Sequence, residues 1–173
     1  MLFQIKSYLK FLWLSKNEHA VHSPFVFSLI TKCFYDNKPK KEYVVLKKYR
    51  KSLLENKSTI AVTDFGAGSK VFKSNTREIS KIAQTAGISS KRAELLFRVT
   101  TYLQPKHILE IGTSLGLATT ALSLGNKTAE IITLEGCTNS IAVAKNHLET
   151  IDRATIKFIN TEFSAYLKNT KLK

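Results

Sequence analysis

The sequence predicts an α/β fold in which a helical N-terminal segment precedes a parallel sheet. The stretch HILEIGTSLGLATTALSLG, residues 107–125, has the pattern of a short apolar strand, a glycine turn and a helix. Two more apolar strands follow, AEIITLEG at 129–136 and ATIKFIN at 154–160, with a helical stretch between them. Strands that alternate with helices indicate a parallel, Rossmann-like sheet whose strands are joined by right-handed crossover connections.

Residues 1–104 have a mainly helical pattern, so we divide the chain into a helical segment (1–104) and a sheet domain (105–173). Ser23 followed by Pro24 marks one helix start, Ser89 or Ser90 marks another, and Pro105 ends the latter helix. The helices are predicted at 2–15, 23–35, 40–55, 75–86 and 90–103. In the last of these helices, the buried stripe is predicted at Leu96, Val99 and Leu103. In the sheet domain, Thr138 or Asn139 is expected to be the N-cap of the helix after the second strand.

Composition narrows the class of protein. An apolar fraction of 43% in 173 residues argues against wholesale disorder. The 27 Lys and Arg against 13 Asp and Glu give a net charge of +14, which raises the expectation of an anionic partner. The densest basic run, residues 38–57, is interleaved with apolar residues and predicts a basic amphipathic helix. Nucleic acid is the less favoured partner.

Cysteines and the N-terminus suggest a cytoplasmic protein. Cys33 and Cys137 are far apart and lack paired spacing, so neither a disulfide framework nor a metal site is expected. Lys6 and Lys10 interrupt the apolar N-terminal stretch, which is too short for a transmembrane segment and has no cleavage signal. We expect a docked helix here, with a membrane-surface helix as the alternative.

Two glycine turns compete as a ligand-binding loop: DFGAGS at 64–69 and GTSLG at 112–116. Glycine lets a ligand approach the backbone and a helix N-terminus face it. After Gly112 a second strand follows and ends in Glu135, at the distance expected for an acid that binds ribose hydroxyls. The other turn lacks a following strand that ends in an acid. We therefore assign the ligand to the turn at 112–116.

The identity of the ligand depends on the loop. An acid at the end of the second strand suits NAD, FAD or S-adenosylmethionine (SAM), because all three present a ribose diol. A dinucleotide loop needs a second glycine where this chain has Thr113. Glu110 is a poor neighbour for a pyrophosphate but suits the cationic methionine end of SAM, which the sequence therefore favours.

ILEIGTSLG followed by IITLEG resembles the first two motifs of class I SAM-dependent methyltransferases, closest to an O-methyltransferase-like bacterial group. HSPFVF, DFGAGS and LLFRV resemble the N-terminal part of that group, so the resemblance extends from about 19 to 168. It implies that Glu135 holds the ribose hydroxyls and that Gly136 lies under the adenine. It also implies that the methionine and ribose end of SAM is lined by Glu110, Gly112, Thr113, Ser114 and Gly116. Ala118 stands where many relatives have a serine or threonine whose side chain contacts the cofactor. Thr119 lies one position further along the chain, so this contact is not expected here.

The DFGAGS turn is predicted to form a loop over the mouth of the cofactor site. Asp64 and Gly66 are our candidates for substrate binding, and for Asp64 a purely structural role as a turn acid is an equal alternative. No catalytic residue is assigned.

The resemblance implies a sheet of seven strands, of which this chain supplies three. With only these three strands, the first strand is expected to be an exposed edge. Either the chain is truncated after the third strand, or its N-terminal segment or another copy of the chain covers that edge. The function expected is SAM-dependent methyl transfer to a small-molecule acceptor, incomplete in these 173 residues. The alternative is a non-catalytic basic module that binds RNA or a membrane surface and retains half of a methyltransferase fold.

Overall fold

The structure is a computed structural model that describes residues 2–15, 18–65, 68–69, 71–151 and 154–169. The chain divides into two compact units, residues 1–37 and 38–173, and each is described by itself. The division at 104/105 that the sequence suggests stays a prediction.

The first unit is helical. Helix α1 spans Leu2–Leu14, and a short 3₁₀ turn follows at Glu18–Ala20. Helix α2, Pro24–Leu29, begins as predicted: Ser23 is its N-cap, and the Ser23 hydroxyl accepts a hydrogen bond from the Val26 N–H at 3.3 Å. A π-helical turn at Ile30–Phe34 continues it. No helix among the described residues is long and apolar enough to cross a membrane.

The second unit contains the sheet, whose three parallel strands confirm the predicted α/β, Rossmann-like class. Strands β3 (His107–Ile111), β4 (Glu130–Glu135) and β5 (Thr155–Asn160) pair in the order β3-β4-β5. Helices α6 (Leu117–Gly125) and α7 (Thr138–Leu148) make the two crossovers, and α8 (Phe163–Asn169) follows β5. Within the described strands β3 is an edge of this sheet, as the sequence predicted.

Before the sheet come three helices and a hairpin. The helices are α3 (Glu42–Glu55), α4 (Ile79–Thr85) and α5 (Ser90–Leu103), and α5 has the N-cap Ser89. Strands β1 (Thr59–Ala61) and β2 (Thr76–Glu78) pair antiparallel in a sheet of their own. The prediction of a helix over 75–86 is therefore wrong in its first turn, because Thr76–Glu78 pairs with β1 before α4 begins. The expectation that no strand ending in an acid follows the DFGAGS turn is also wrong, because β2 follows it and ends in Glu78.

The main core lies where α3, α4, α5 and α6 meet. The amphipathic helix expected in the basic run is confirmed, because α3 buries Tyr43, Leu46, Tyr49 and Leu53. On α5 the predicted stripe is only partly right. Leu96 packs partly buried against this core, but the fully buried residues are Ala93, Phe97 and Thr100, and Leu103 is exposed. A Cβ built at Gly125 would lie 2.7 Å from the Thr100 Cβ, so α6 crosses α5 too closely for large side chains there. A second cluster, between the strands and α6, contains Ile108, Leu122, Ala129, Ile131, Ala154 and Ile156.

The start of α7 also departs from expectation. Its N-cap is Cys137, and no side chain caps it. The Thr138 hydroxyl is instead 3.2 Å from Asn160 Oδ1, and the Asn139 amide donates to the Ala61 carbonyl at 2.7 Å. Both side chains connect neighbouring segments, so neither caps the helix.

Candidate functional site

The loop between β3 and α6 has a backbone that is unusual at three positions. Gly112, Ser114 and Gly116 have φ angles of +95°, +48° and +79°. The N–H groups of Gly112 and Thr113 both donate to the Leu134 carbonyl, at 2.9 and 3.1 Å. The loop thus folds over the end of the neighbouring strand β4, and glycine at two of the three positions accommodates this path without strain.

The two glycines of this loop have different surroundings. A Cβ built at Gly116 would lie 2.7 Å from the Ala144 Cβ, so Gly116 permits a close contact with α7. A Cβ at Gly112 would have only the Phe163 ring nearby, at 3.8 Å. Gly116 therefore serves packing, whereas the backbone at Gly112 leaves space at the carboxyl edge of the sheet.

Glu135, the last residue of β4, accepts hydrogen bonds from both the β3–α6 loop and the segment that leads into α7. Its Oε2 accepts a hydrogen bond from the Ser114 N–H at 2.8 Å, and its Oε1 accepts one from the Cys137 N–H at 2.9 Å. A carboxylate has about four acceptor positions, so both oxygens keep a free lone pair. Glu135 also lines a pocket at this edge.

Glu110 belongs to a network of threonine hydroxyls. Its Oε2 accepts hydrogen bonds from Thr119 and Thr133, each at 2.6 Å, and Thr133 is also 2.6 Å from the Thr113 hydroxyl. Its Oε1 is buried and has no hydrogen-bond partner among the residues that the structure describes. Burial raises the pKa of Glu110; the two threonine hydroxyls oppose this shift, and the charge of Glu135 adds to it. The unpaired oxygen is a place where a cationic or hydrogen-bond-donating group would be stabilised.

The pocket beside Glu135 has a volume of about 490 Å³. Four described segments line it: the loop after β1, Arg77 in β2, the end of β4, and the turn that leads from β5 into α8. Asp64 lies in the first segment and makes an ion pair with Arg77 of β2 at 3.1 Å. The lining residues are Val62, Thr63, Asp64, Phe65, Arg77, Glu135, Gly136, Thr161, Glu162, Phe163 and Ser164.

The structure brings most of the candidate residues to one edge of the sheet. Gly112, Ser114, Glu135 and Gly136 lie at the carboxyl ends of β3 and β4. Asp64, Glu135 and Gly136 line the pocket of about 490 Å³, whereas Gly112 and Ser114 line a separate cavity of about 70 Å³. The Thr113 side chain is buried within the hydroxyl network, so only its backbone borders the loop surface. Gly66 lies outside the described residues.

Two aromatic residues near the site were not singled out from the sequence. Phe65 follows Asp64 in the DFGAGS motif, and its place in that motif was the available signal. Tyr49 of α3 is buried, its hydroxyl donates to the Leu115 carbonyl, and its ring stacks on His147 with centroids 3.3 Å apart. From the sequence, the apolar periodicity of residues 38–57 indicated only that Tyr49 packs in the core. Tyr49 fixes the middle of the β3–α6 loop from outside the sheet.

The described residues contain no group of three or more His, Cys, Asp or Glu side chains that could hold a metal ion.

Comparisons with known proteins find similarity in solved structures only. No family model matches the chain, and no curated protein matches it. The chain is similar to the methyltransferase PaMTH1 of Podospora anserina bound to S-adenosylhomocysteine (SAH). The identity is 18% and the TM-score 0.49, over 88% of this chain and 56% of that one. It is also similar to an O-methyltransferase from Bacillus cereus in complex with SAH, with 15% identity and a TM-score of 0.44 over 83% of this chain and 55% of that one. The chain thus spans little more than half the length of these structures.

Proposed function

We propose that this chain forms the cofactor-binding half of a class I SAM-dependent methyltransferase whose methyl acceptor is a small molecule. The proposal is based on the motif resemblance of ILEIGTSLG and IITLEG and on the arrangement of the residues at the ends of β3 and β4.

The observation that carries the proposal is the position of Glu135. Its carboxylate is held by two backbone N–H groups, from Ser114 and Cys137, and borders a pocket of about 490 Å³. Fixed in this way, its free lone pairs can accept hydrogen bonds from the two hydroxyls of a ribose. Charge-assisted hydrogen bonds of this kind are stronger than neutral ones.

The fit of SAM is also supported by Glu110. Its buried Oε1 has no partner in the described part of the chain, and a water bridging to the methionine end of SAM would supply one. Thr119 and Thr133 hold Oε2 and so fix the direction of the carboxylate. An ionised Glu110 favours a cation nearby and disfavours the phosphates of a dinucleotide.

When bound, SAM supplies an electrophilic methyl group on a sulfonium. The residues of this chain then bind and orient: Glu135 holds the ribose, Glu110 favours the cationic end, and Gly112 leaves room for close backbone approach. Such positioning is a major source of rate enhancement in group transfer. Asp64 lies in the same pocket as Glu135, which is compatible with contact to an acceptor or to the cofactor.

The test is calorimetric titration of the protein with S-adenosylhomocysteine (SAH), the product form of SAM. Glu135→Ala should weaken binding at least tenfold, or about 1.4 kcal/mol, because it removes the ribose acceptor. Glu130→Ala is the matched control: Glu130 is at the opposite end of the same strand, where its carboxylate is 70% exposed and lies 3.3 Å from His107. Thermal unfolding of both variants verifies that they fold. Equal SAH affinity in the wild type and Glu135→Ala would contradict the proposal.

A basic RNA-binding module is the competing function, and the same preparation tests it. Its support is the net charge of +14. On α3, however, Lys47 pairs with Glu94 at 3.3 Å and Lys51 with Glu55 at 3.7 Å. Salt-dependent binding of RNA without any binding of SAH would favour the module over the enzyme.

A further inference from the structure

The β1–β2 hairpin is tied to the start of α7 through the Ala61 carbonyl group. The Ala61 carbonyl, at the end of β1, accepts a hydrogen bond from the Asn139 side chain at 2.7 Å and one from the Cys137 thiol at 3.6 Å. Cys137 and Asn139 are at the start of α7, directly after β4. The residues that follow Ala61 are therefore delivered to the carboxyl edge of the parallel sheet, although the hairpin belongs to a different sheet.

Phe65 occupies the space that a side chain at position 136 would need. A Cβ built at Gly136 would lie 2.5 Å from Phe65 Cδ2 and 2.6 Å from Phe65 Cε2. No residue larger than glycine fits at 136 unless the Phe65 ring moves. Phe65 and Gly136 thus form one unit, in which the ring from the hairpin takes the place of a side chain at the end of β4.

The Phe65 ring is not enclosed by this contact. Phe65 is 60% exposed, and it lines the same pocket as Glu135 and Phe163. Asp64, the residue before it, is held by the ion pair with Arg77, and the Arg77 guanidinium lies 4.9 Å from the centre of the Phe72 ring. An aromatic ring with an open side, on an anchored segment beside a ribose-binding carboxylate, is suited to a planar base.

We propose that Phe65 is the stacking wall of this pocket and binds the adenine base of the adenosyl ligand whose ribose is held by Glu135. This inference rests on the proposed function. The ring contributes dispersion and face-to-face contact with the base. Phe65 therefore determines selectivity for a planar heteroaromatic ligand, a role that lies outside the glycine loop and the acid of β4.

The experiment compares SAH affinity in four proteins by calorimetry: the wild type, Phe65→Ala, Phe65→Tyr and Val71→Ala. Because a base stacks favourably on an aromatic side chain, Phe65→Ala should weaken SAH binding by about fivefold or more. Phe65→Tyr keeps the ring and should stay within about twofold of the wild type. Val71 is the matched control, because it is 66% exposed and lies between β1 and β2 but borders a different pocket. Its replacement should leave the affinity unchanged.

Two further variants separate stacking from a structural effect. In the Phe65→Ala background, Gly136→Leu restores an apolar wall with a side chain at position 136 and should recover part of the lost SAH affinity. Gly136→Leu alone displaces the Phe65 ring and should weaken SAH binding. In a Trp13→Phe background, which removes the single tryptophan, Phe65→Trp introduces a fluorophore at the wall. Adenosine alone should quench its emission, and homocysteine alone should not.

The outcomes distinguish the two proposals. If the wild type binds SAH and Phe65→Ala binds it equally well, the stacking role is wrong and the proposed function stands. If the wild type does not bind SAH, both are wrong. Loss of thermal stability in apo Phe65→Ala without a change in SAH affinity would also overturn the stacking role.

Discussion

Replacing Gly116 with alanine should destabilise the protein through two separate effects. At φ +79° an L-residue is strained, by about 1–2 kcal/mol. The new Cβ would also lie 2.7 Å from the Ala144 Cβ and 3.2 Å from its Cα. Forcing an extra methyl group into a packed contact costs about 1–3 kcal/mol. The sum is a loss of about 2–5 kcal/mol in the free energy of unfolding, of which the packing part is specific to this position.

Gly112→Ala is the matched variant, because it isolates the backbone effect. Its φ of +95° is also unfavourable for alanine, but the nearest atom to its Cβ is Phe163 Cζ at the ordinary contact distance of 3.8 Å. Urea unfolding followed by circular dichroism gives both free energies. Gly116→Ala should be less stable than Gly112→Ala by at least about 1 kcal/mol, and Ala144→Gly in the Gly116→Ala background should recover part of this difference. Equal stability of the two single variants would refute the packing argument.

Two more predictions concern the α3–α7 contact. Tyr49→Phe removes the hydroxyl that donates to the buried Leu115 carbonyl. It should lower the free energy of unfolding by about 1–3 kcal/mol, as measured by urea unfolding. An unchanged urea midpoint would show that this hydrogen bond is not formed. Burial lowers the pKa of His147 from 6.5 to about 4, so between these values the unfolded state binds a proton that the folded state does not. Stability should therefore fall as the pH falls from 6.5 to about 4. His147→Phe should flatten this pH dependence of the thermal midpoint, and an unchanged dependence would assign it to another group.

The strand–turn–helix pattern of 107–125 was readable from the sequence because its signals are local. Apolar runs, glycines at positive φ and N-caps such as Ser23 and Ser89 depend on neighbours within a few residues. The adjacency of Glu135 and the 112–116 loop also followed from the sequence, because parallel strands place their carboxyl ends at one edge. The roles of these residues in ligand binding stay predictions.

The failures occurred where a contact between distant segments overrides a local preference. The helical pattern over 75–86 begins with Thr76–Glu78, which pairs with β1 instead. The buried face of α5 is chosen by the close approach of Gly125, which accepts Thr100 and leaves Leu103 exposed. The pairing of β2 and the buried face of α5 both depend on which elements pack together in the fold. Periodicity within one segment does not contain that information.

By itself, the sequence determined that a parallel sheet follows a helical segment, and that a glycine loop and an acid meet at the edge of that sheet. Only the tertiary structure placed the Phe65 ring on Gly136 and tied the Ala61 carbonyl to the start of α7. It also left one oxygen of Glu110 buried without a partner among the described residues. Residues 65 and 136 are far apart in the chain, so no local pattern couples them. Their fit arises because a glycine without a side chain at the end of β4 leaves a space, and the anchored hairpin brings an aromatic ring to fill it.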